Sequence, residues 1–243
     1  MFGYKVYWAV LMVRLGRRKI LPSAWVNRVP INECDSPLVD ISKERLFSID
    51  ARAKKRGGLW VREEVRDFLK AAALFLPDGC RLHFFEGWRH FAVQIEEWNK
   101  AFAEKKKQFP NASEEEIKKM VRMTVADPFR EAVGGPHQTG GAVDLTLVDR
   151  NGKELDMGAP YLFHGPKSAT DFLDITPTQR KNRRILRDAM ALAGFQNYPG
   201  EWWHYSYGDR AHAAYKRLPF AIYGPVYCHD YKLTATEKKI WEK

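Results

Sequence analysis

The chain has 243 residues, 45% of them apolar and 29% charged, with a mean hydropathy of -0.47, and no Gly, Ser or Pro linker divides it. That length can bury one sizeable core, and no apolar run approaches the ~20 residues that a membrane span needs. The formal net charge of +10 is uneven, because residues 1–32 hold six Lys or Arg and no acid, leaving 34 basic against 30 acidic residues (net +4) in the rest.

Residues 1–32 therefore read as a basic N-terminal arm, and 33–243 as one domain with a C-terminal extension. Within the arm, VYWAVLMV (Val6–Val13) is followed at once by Arg14, Arg17, Arg18 and Lys19, without a small-x-small cleavage site. A short buried strand or helix is expected there, and not an export signal. No nucleic-acid-binding motif accompanies the basic charge, so no nucleic-acid partner is expected. Cys34, Cys80 and Cys228 are odd in number and far apart, with no C-x-x-C pair. Reduced thiols and a cytoplasmic location follow as the expectation.

Further along, VREEVRDFLKAAALF places Val61, Val65, Phe68, Leu69 and Ala72 on one helical face, stopped by LPDG. RLHFFEGWR (81–89) reads as a short aromatic strand that ends at Gly87. A second helix is predicted through Val93, Trp98 and Phe102, and the capping-box spacing of Ser113 and Glu116 opens a third. AVDLTLV (142–148) is a strand by its β-branched residues and alternation, and Asn151-Gly152 is a hairpin turn that should bring KELDM back beside it. Thr176-Pro177-Thr178-Gln179 combines an N-cap, a first-turn proline and a capping-box glutamine, for a helix ending at Gly194. FQNYPGEWWHYSYG then reads as another strand pair or a bent strand. Helices come first and antiparallel-type strands dominate later, which suggests an α+β fold.

Chemistry is concentrated in two stretches. His137 lies among Gly134, Gly135, Gly140 and Gly141, where backbone can approach a ligand closely. Seven residues on, Asp144 shares a strand face with Ala142 and Thr146, opposite Val143, Leu145 and Leu147. In Glu201-Trp202-Trp203-His204 a carboxylate and an imidazole flank two tryptophans. Taken singly, each of these is an ordinary structural feature. Together, His137, Asp144 and His204 make a three-ligand zinc set with a vacant corner, and Glu201 a base that is not a ligand.

These residues resemble the zinc D-alanyl-D-alanine dipeptidases of the vancomycin-resistance type, within the D-Ala-D-Ala metallopeptidase family. GPHQTGGAVDLTL is similar to the family's S-x-H-x-x-G-x-A-x-D motif, and EWWH to its E-x-W-H motif. FEGWRH, DMGAPYLF and TQRKNRRILRDAMALAGF resemble the segments that accompany them, so the likeness spans about residues 38–210. The resemblance implies a Hedgehog/DD-peptidase-like α+β fold, a small central antiparallel sheet with flanking helices, and one zinc ion held by His137, Asp144 and His204, with Glu201 as catalytic base and Arg89 beside the scissile carbonyl. It also implies a small substrate containing D-Ala. Three positions depart from the pattern: Gly135 replaces a serine, His90 a proline, and Leu162 an aspartate suited to a substrate's ammonium. The last keeps open a D,D- or L,D-carboxypeptidase or endopeptidase acting on longer peptidoglycan peptides. A zinc-bearing binding module without catalysis is the non-enzymatic alternative.

Overall fold

The computed structural model describes residues 20–226 apart from 56–58, 123–124, 126, 129–134 and 164. The Val6–Val13 run, most of the basic arm, Cys228 and the rest of the C-terminal extension lie outside the described residues.

In chain order the elements are α1 (Ser23–Val26), β1 (Leu38–Asp40), β2 (Ser48–Ile49), α2 (Ala51–Lys55), β3 (Trp60–Arg62), α3 (Glu63–Leu74), β4 (Arg81–Glu86), α4 (Phe91–Gln108) and α5 (Glu114–Val121). A 3-10 turn at Pro136–Thr139 leads into β5 (Ala142–Val148), and a second at Pro166–Ser168 precedes α6 (Pro177–Leu192). The strands β6 (Gln196–Asn197) and β7 (His204–Ser206) and the helix α7 (Arg210–Lys216) close the described chain. Among these residues no helix is long and apolar enough to cross a membrane.

The fold class is α+β. Five strands form the main sheet in the order β2-β4-β5-β7-β6, while β1 and β3 pair in a separate ribbon. All neighbours in the main sheet are antiparallel except the edge pair β2 and β4, which is parallel. The aromatic strand expected at 81–89 forms as β4, and with β2 it supplies one side of the sheet. Val61 is also a strand residue and not the start of a helix. It pairs with Val39 in the ribbon, and the helix begins only after Arg62, whose backbone is extended. Beyond that boundary the expected face holds, with Val65, Leu69 and Ala72 buried in the core.

Local sequence chemistry sets the remaining boundaries. Both capping boxes form, Ser113 with Glu116 and Thr176 with Gln179, and Pro177 opens α6. The Asn151-Gly152 turn forms with Gly152 left-handed (φ +81). The chain that returns from it meets β5 at the isolated Val148–Glu154 bridge, with Leu155 N–H donating to the Leu147 carbonyl at 2.9 Å, and adds no full strand. The inward face of β5, Val143, Leu145 and Leu147, packs with Leu69, Phe84, Leu186 and Phe195 in one core. A smaller cluster of Trp98, Ile117 and Val121 holds α4 against α5.

Arg62 ties the segments at Glu33 and Gly224 to this frame. Its buried guanidinium donates to the Thr139 carbonyl (2.7 Å) and the Gly224 carbonyl (3.0 Å), and meets Glu33 Oε2 at 3.2 Å. Thr139 closes the turn that carries His137, so this cation anchors the end of that turn.

Candidate metal centre

Strand register places three of the polar side chains. Glu86 of β4 sits opposite Asp144 of β5, and Asp144 sits opposite His204 of β7, so one row crosses three neighbouring strands. A bulge in β4 between Phe84 and Glu86 re-aims the last residue of that strand. His137 arrives from the 3-10 turn, which ends at the left-handed Gly140 (φ +71) and feeds directly into β5. The left-handed backbone at Gly140 favours glycine, and a Cβ there would also have to push the end of the Leu38 side chain aside.

His137, Asp144 and His204 are all buried, and each offers one ligand atom within 4.8 Å of the others. Asp144 Oδ1 lies 3.3 Å from His137 Nε2 and 2.9 Å from His204 Nδ1. The outward nitrogens have their own partners. His137 Nδ1 is 2.9 Å from the Gly87 carbonyl, and His204 Nε2 is 3.4 Å from Ser206 Oγ. A carbonyl can only accept, so His137 Nδ1 carries the proton in the neutral ring and Nε2 presents its lone pair to the shared space. Two imidazole nitrogens and one carboxylate oxygen are a donor set suited to zinc with a corner left open.

The electrostatics favour a cation at this point. Burial opposes charging His137, but the adjacent Asp144 and then Glu86 raise it to about 9. Burial likewise opposes ionising Asp144, yet the two imidazoles hold its carboxyl far below the ordinary range. The pocket therefore attracts positive charge onto its own donors, a role that a divalent ion fills without protons.

Glu201 and Arg89 stand beside this group. Glu201 sits in the tight loop between β6 and β7, where buried Asn197 Nδ2 donates to the carbonyls of Glu201 and His204, both at 3.0 Å. Burial pushes its carboxyl up to about 7, and Asp144 adds to the rise, while His204, His137 and Arg89 pull the other way. Among the described residues no side chain hydrogen-bonds that carboxyl. Arg89 is held on several sides: Nε donates to Glu86 Oε1 (2.7 Å), Nη2 pairs with Glu86 Oε2, and Nη1 reaches Gln94 Oε1 (2.8 Å) and Glu97 Oε2 (2.7 Å). Burial works against its charge, and the two glutamates more than offset that. Its backbone N–H also donates to the His137 carbonyl at 3.1 Å, which links the arginine to the metal-type loop.

The tryptophan pair answers two needs. Trp202 and Trp203 are both buried in the main core, with rings edge to face at 5.3 Å. Trp202 donates Nε1 to the Ala159 carbonyl, whereas Trp203 meets the edge of Tyr161 at 5.7 Å and so backs the site.

All five residues singled out in the sequence, His137, Asp144, His204, Glu201 and Arg89, come together here. Glu86 and Tyr161 were not singled out. The Tyr161 hydroxyl donates to Asp144 Oδ2 at 3.0 Å and lies 3.4 Å from Glu86 Oε2. Burial and these two carboxylates push its phenol well above the usual 10, so it remains a donor. Glu86 had a visible signal in its three-residue spacing from Arg89; Tyr161 had none. Leu162, by contrast, is exposed on a left-handed backbone (φ +63), next to an exposed Phe163.

A family profile described as D-ala-D-ala dipeptidase matches residues 52–222. The chain is similar to a D-alanyl-D-alanine dipeptidase of Synechocystis sp., 30% identical over 213 residues that cover 75% of this chain and 86% of that protein. It is also similar to an Escherichia coli D-alanyl-D-alanine dipeptidase, 38% identical over 73 residues, or 30% of this chain and 38% of the relative. Among solved structures, VanYB in complex with D-alanine-D-alanine aligns at 18% identity and a TM-score of 0.45, covering 81% of this chain and 95% of the other.

Proposed function

Because the chain belongs to the D-ala-D-ala dipeptidase family of metallopeptidases, we propose that it is a zinc enzyme that hydrolyses D-Ala-D-Ala or a closely related dipeptide of cell-wall origin. The observation that carries this reading is the convergence of His137, Asp144 and His204 within 4.8 Å, beside a carboxyl with no side-chain partner among the described residues. His137 Nε2, Asp144 Oδ1 and His204 Nδ1 would hold the ion. When bound, zinc brings the pKa of water to about 7 and polarises a peptide carbonyl.

The chain's own residues supply the rest. Glu201 takes a proton from the attacking water as the C–O bond forms, and returns it to the amide nitrogen as the C–N bond breaks. Positive charge at the centre would oppose the effect of burial and favour the ionised Glu201 that the first of these transfers needs. Arg89, locked by Glu86, Gln94 and Glu97, presents the remaining Nη2–H to the carbonyl oxygen as that atom gains charge. Trp203 and the Tyr161 ring close one side to water, which strengthens both interactions. Retention of Glu201 and Arg89 speaks against a binding module without catalysis. Among the described residues Cys34 and Cys80 form no disulfide, which fits a reducing compartment, and we place the enzyme in the cytoplasm on that ground.

The test is release of free D-Ala from D-Ala-D-Ala. Cleavage is expected to stop on chelation and to return with stoichiometric zinc. Zinc-loaded protein that leaves the dipeptide intact would remove the dipeptidase assignment.

Leu162 favours a second reading. A dipeptide's ammonium needs a partner when it leaves water, and the exposed Leu162–Phe163 turn offers no carboxylate. On that reading the substrate is a longer peptide ending in D-Ala-D-Ala, whose nitrogen at this position is an uncharged amide. Parallel assays on the dipeptide and on a pentapeptide with the same ending separate the two. A higher kcat/KM on the pentapeptide would favour a carboxypeptidase.

A further inference from the structure

The two oxygens of Asp144 have different surroundings. Oδ1 faces His137 Nε2 at 3.3 Å and His204 Nδ1 at 2.9 Å, so it borders the space that the three donors share. Oδ2 accepts the Tyr161 hydroxyl at 3.0 Å. A carboxylate free of such a donor can grip a cation with both oxygens. One that already accepts a strong hydrogen bond on Oδ2 has only Oδ1 to give.

The phenol is well placed for this task because its ring has little freedom. It stacks on Phe85 with centroids 4.2 Å apart and planes at 11°, and meets Trp203 edge to face. The Arg52 guanidinium lies 5.6 Å from the ring centroid. The hydroxyl also stands between two carboxylates that β4 and β5 bring into register, Glu86 and Asp144. Its single proton goes to the nearer, Asp144, and lessens the repulsion between the pair.

We propose that Tyr161 is a positioning residue for the metal carboxylate, restricting Asp144 to one-oxygen ligation through Oδ1 and so keeping a coordination position open for water and substrate. This rests on the zinc reading of the centre. Hydrogen bonds to a ligand's far atom orient it and tune the metal, and their removal commonly costs about 10–100-fold in affinity.

The experiment compares wild type, Tyr161→Phe and His137→Ala by zinc titration against a chromophoric chelator, and by the visible spectrum after cobalt substitution. Tyr161→Phe keeps the ring contacts and removes only the hydroxyl. Zinc affinity is expected to fall by about 10–100-fold. The cobalt bands should lose intensity as Asp144 turns to grip with both oxygens and the coordination number rises. An unchanged affinity with an unchanged cobalt spectrum overturns the proposal, as does a metal-free protein that melts lower while its zinc affinity stays put. The control separates the levels. Zinc lost in His137→Ala but kept in Tyr161→Phe sinks the role of Tyr161 alone, whereas zinc kept in His137→Ala sinks the metal reading and this proposal with it.

Discussion

Replacing Glu201 with glutamine is expected to lower kcat by about 10²–10⁴-fold while the protein still binds one equivalent of zinc, the range that a positioned general base contributes. Glutamine is nearly isosteric and leaves the loop's backbone ties intact, since Asn197 grips the carbonyls of Glu201 and His204 and not the side chain. What disappears is the ability to accept and return a proton. KM should change little, because the carboxylate is assigned to the moving proton and not to holding the substrate. The pH profile carries the same signature. Burial and Asp144 raise the carboxyl to about 7 in the metal-free protein, and a bound cation would lower it again. The acidic limb of kcat/KM in wild type should therefore fall below pH 7, with activity lost as pH drops through it, and it should be absent from the residual activity of Glu201→Gln. Metal content by mass spectrometry and pH-rate curves check both parts; unimpaired turnover in the variant would remove Glu201 from the mechanism.

Glu86→Ala is expected to damage stability and rate together. Glu86 and Arg89 have side chains only 7% and 13% exposed, so removing one partner leaves a guanidinium charge in a place where water reaches it poorly. Breaking such a pair costs about 3–5 kcal/mol, and we expect the lower end because Gln94 and Glu97 remain on Nη1. For a chain of this size that is a fall of roughly 6–12 °C in Tm. The linkage has a definite sign. Burial pushes the Glu86 carboxyl up, and the Arg89 charge and hydrogen bonds more than reverse it, leaving it below the ordinary glutamate value of 4.5. Its stabilisation is thus present at neutral pH and lost as the pH falls below that value, so wild type and Glu86→Ala should converge in stability in acid. The turnover loss should appear in kcat, since an unclamped Arg89 no longer meets the carbonyl oxygen at a fixed angle. Scanning calorimetry across pH with parallel kinetics tests the pair; equal melting at neutral pH would mean that Glu97 alone suffices.

Much of the architecture was legible because it is local. The capping boxes at Ser113 and Thr176, the Gly152 turn and the alternation along β5 all rest on side chains that act within a few residues of themselves. Errors arose where a distant partner decides. Val61 fits a helical face on spacing alone, but Val39 recruits it into a ribbon. β2 has only two residues, too few to show an alternation of its own, and is a strand because β4 pairs with it in parallel. The site shows the same division. His137, Asp144, Glu201 and His204 announce themselves through unusual neighbours, glycines for one and tryptophans for another. Tyr161 sits in DMGAPYLF with nothing to mark it, and its contact with Asp144 exists only because a turn outside the sheet folds back over β5.

The row of Glu86, Asp144 and His204 across the sheet has a consequence for how this protein can change. Successive residues of a strand point to opposite sides, so deleting one residue within β5 would swing Asp144 into the oily interior and present Val143 or Leu145 to the imidazoles. Lengthening the connections outside the ladder moves none of the three. Natural or engineered variation in length should therefore gather in the helical excursion between Arg89 and His137 and in the turn at Asn151-Gly152, while the ladder itself tolerates exchange of side chains but no change of count.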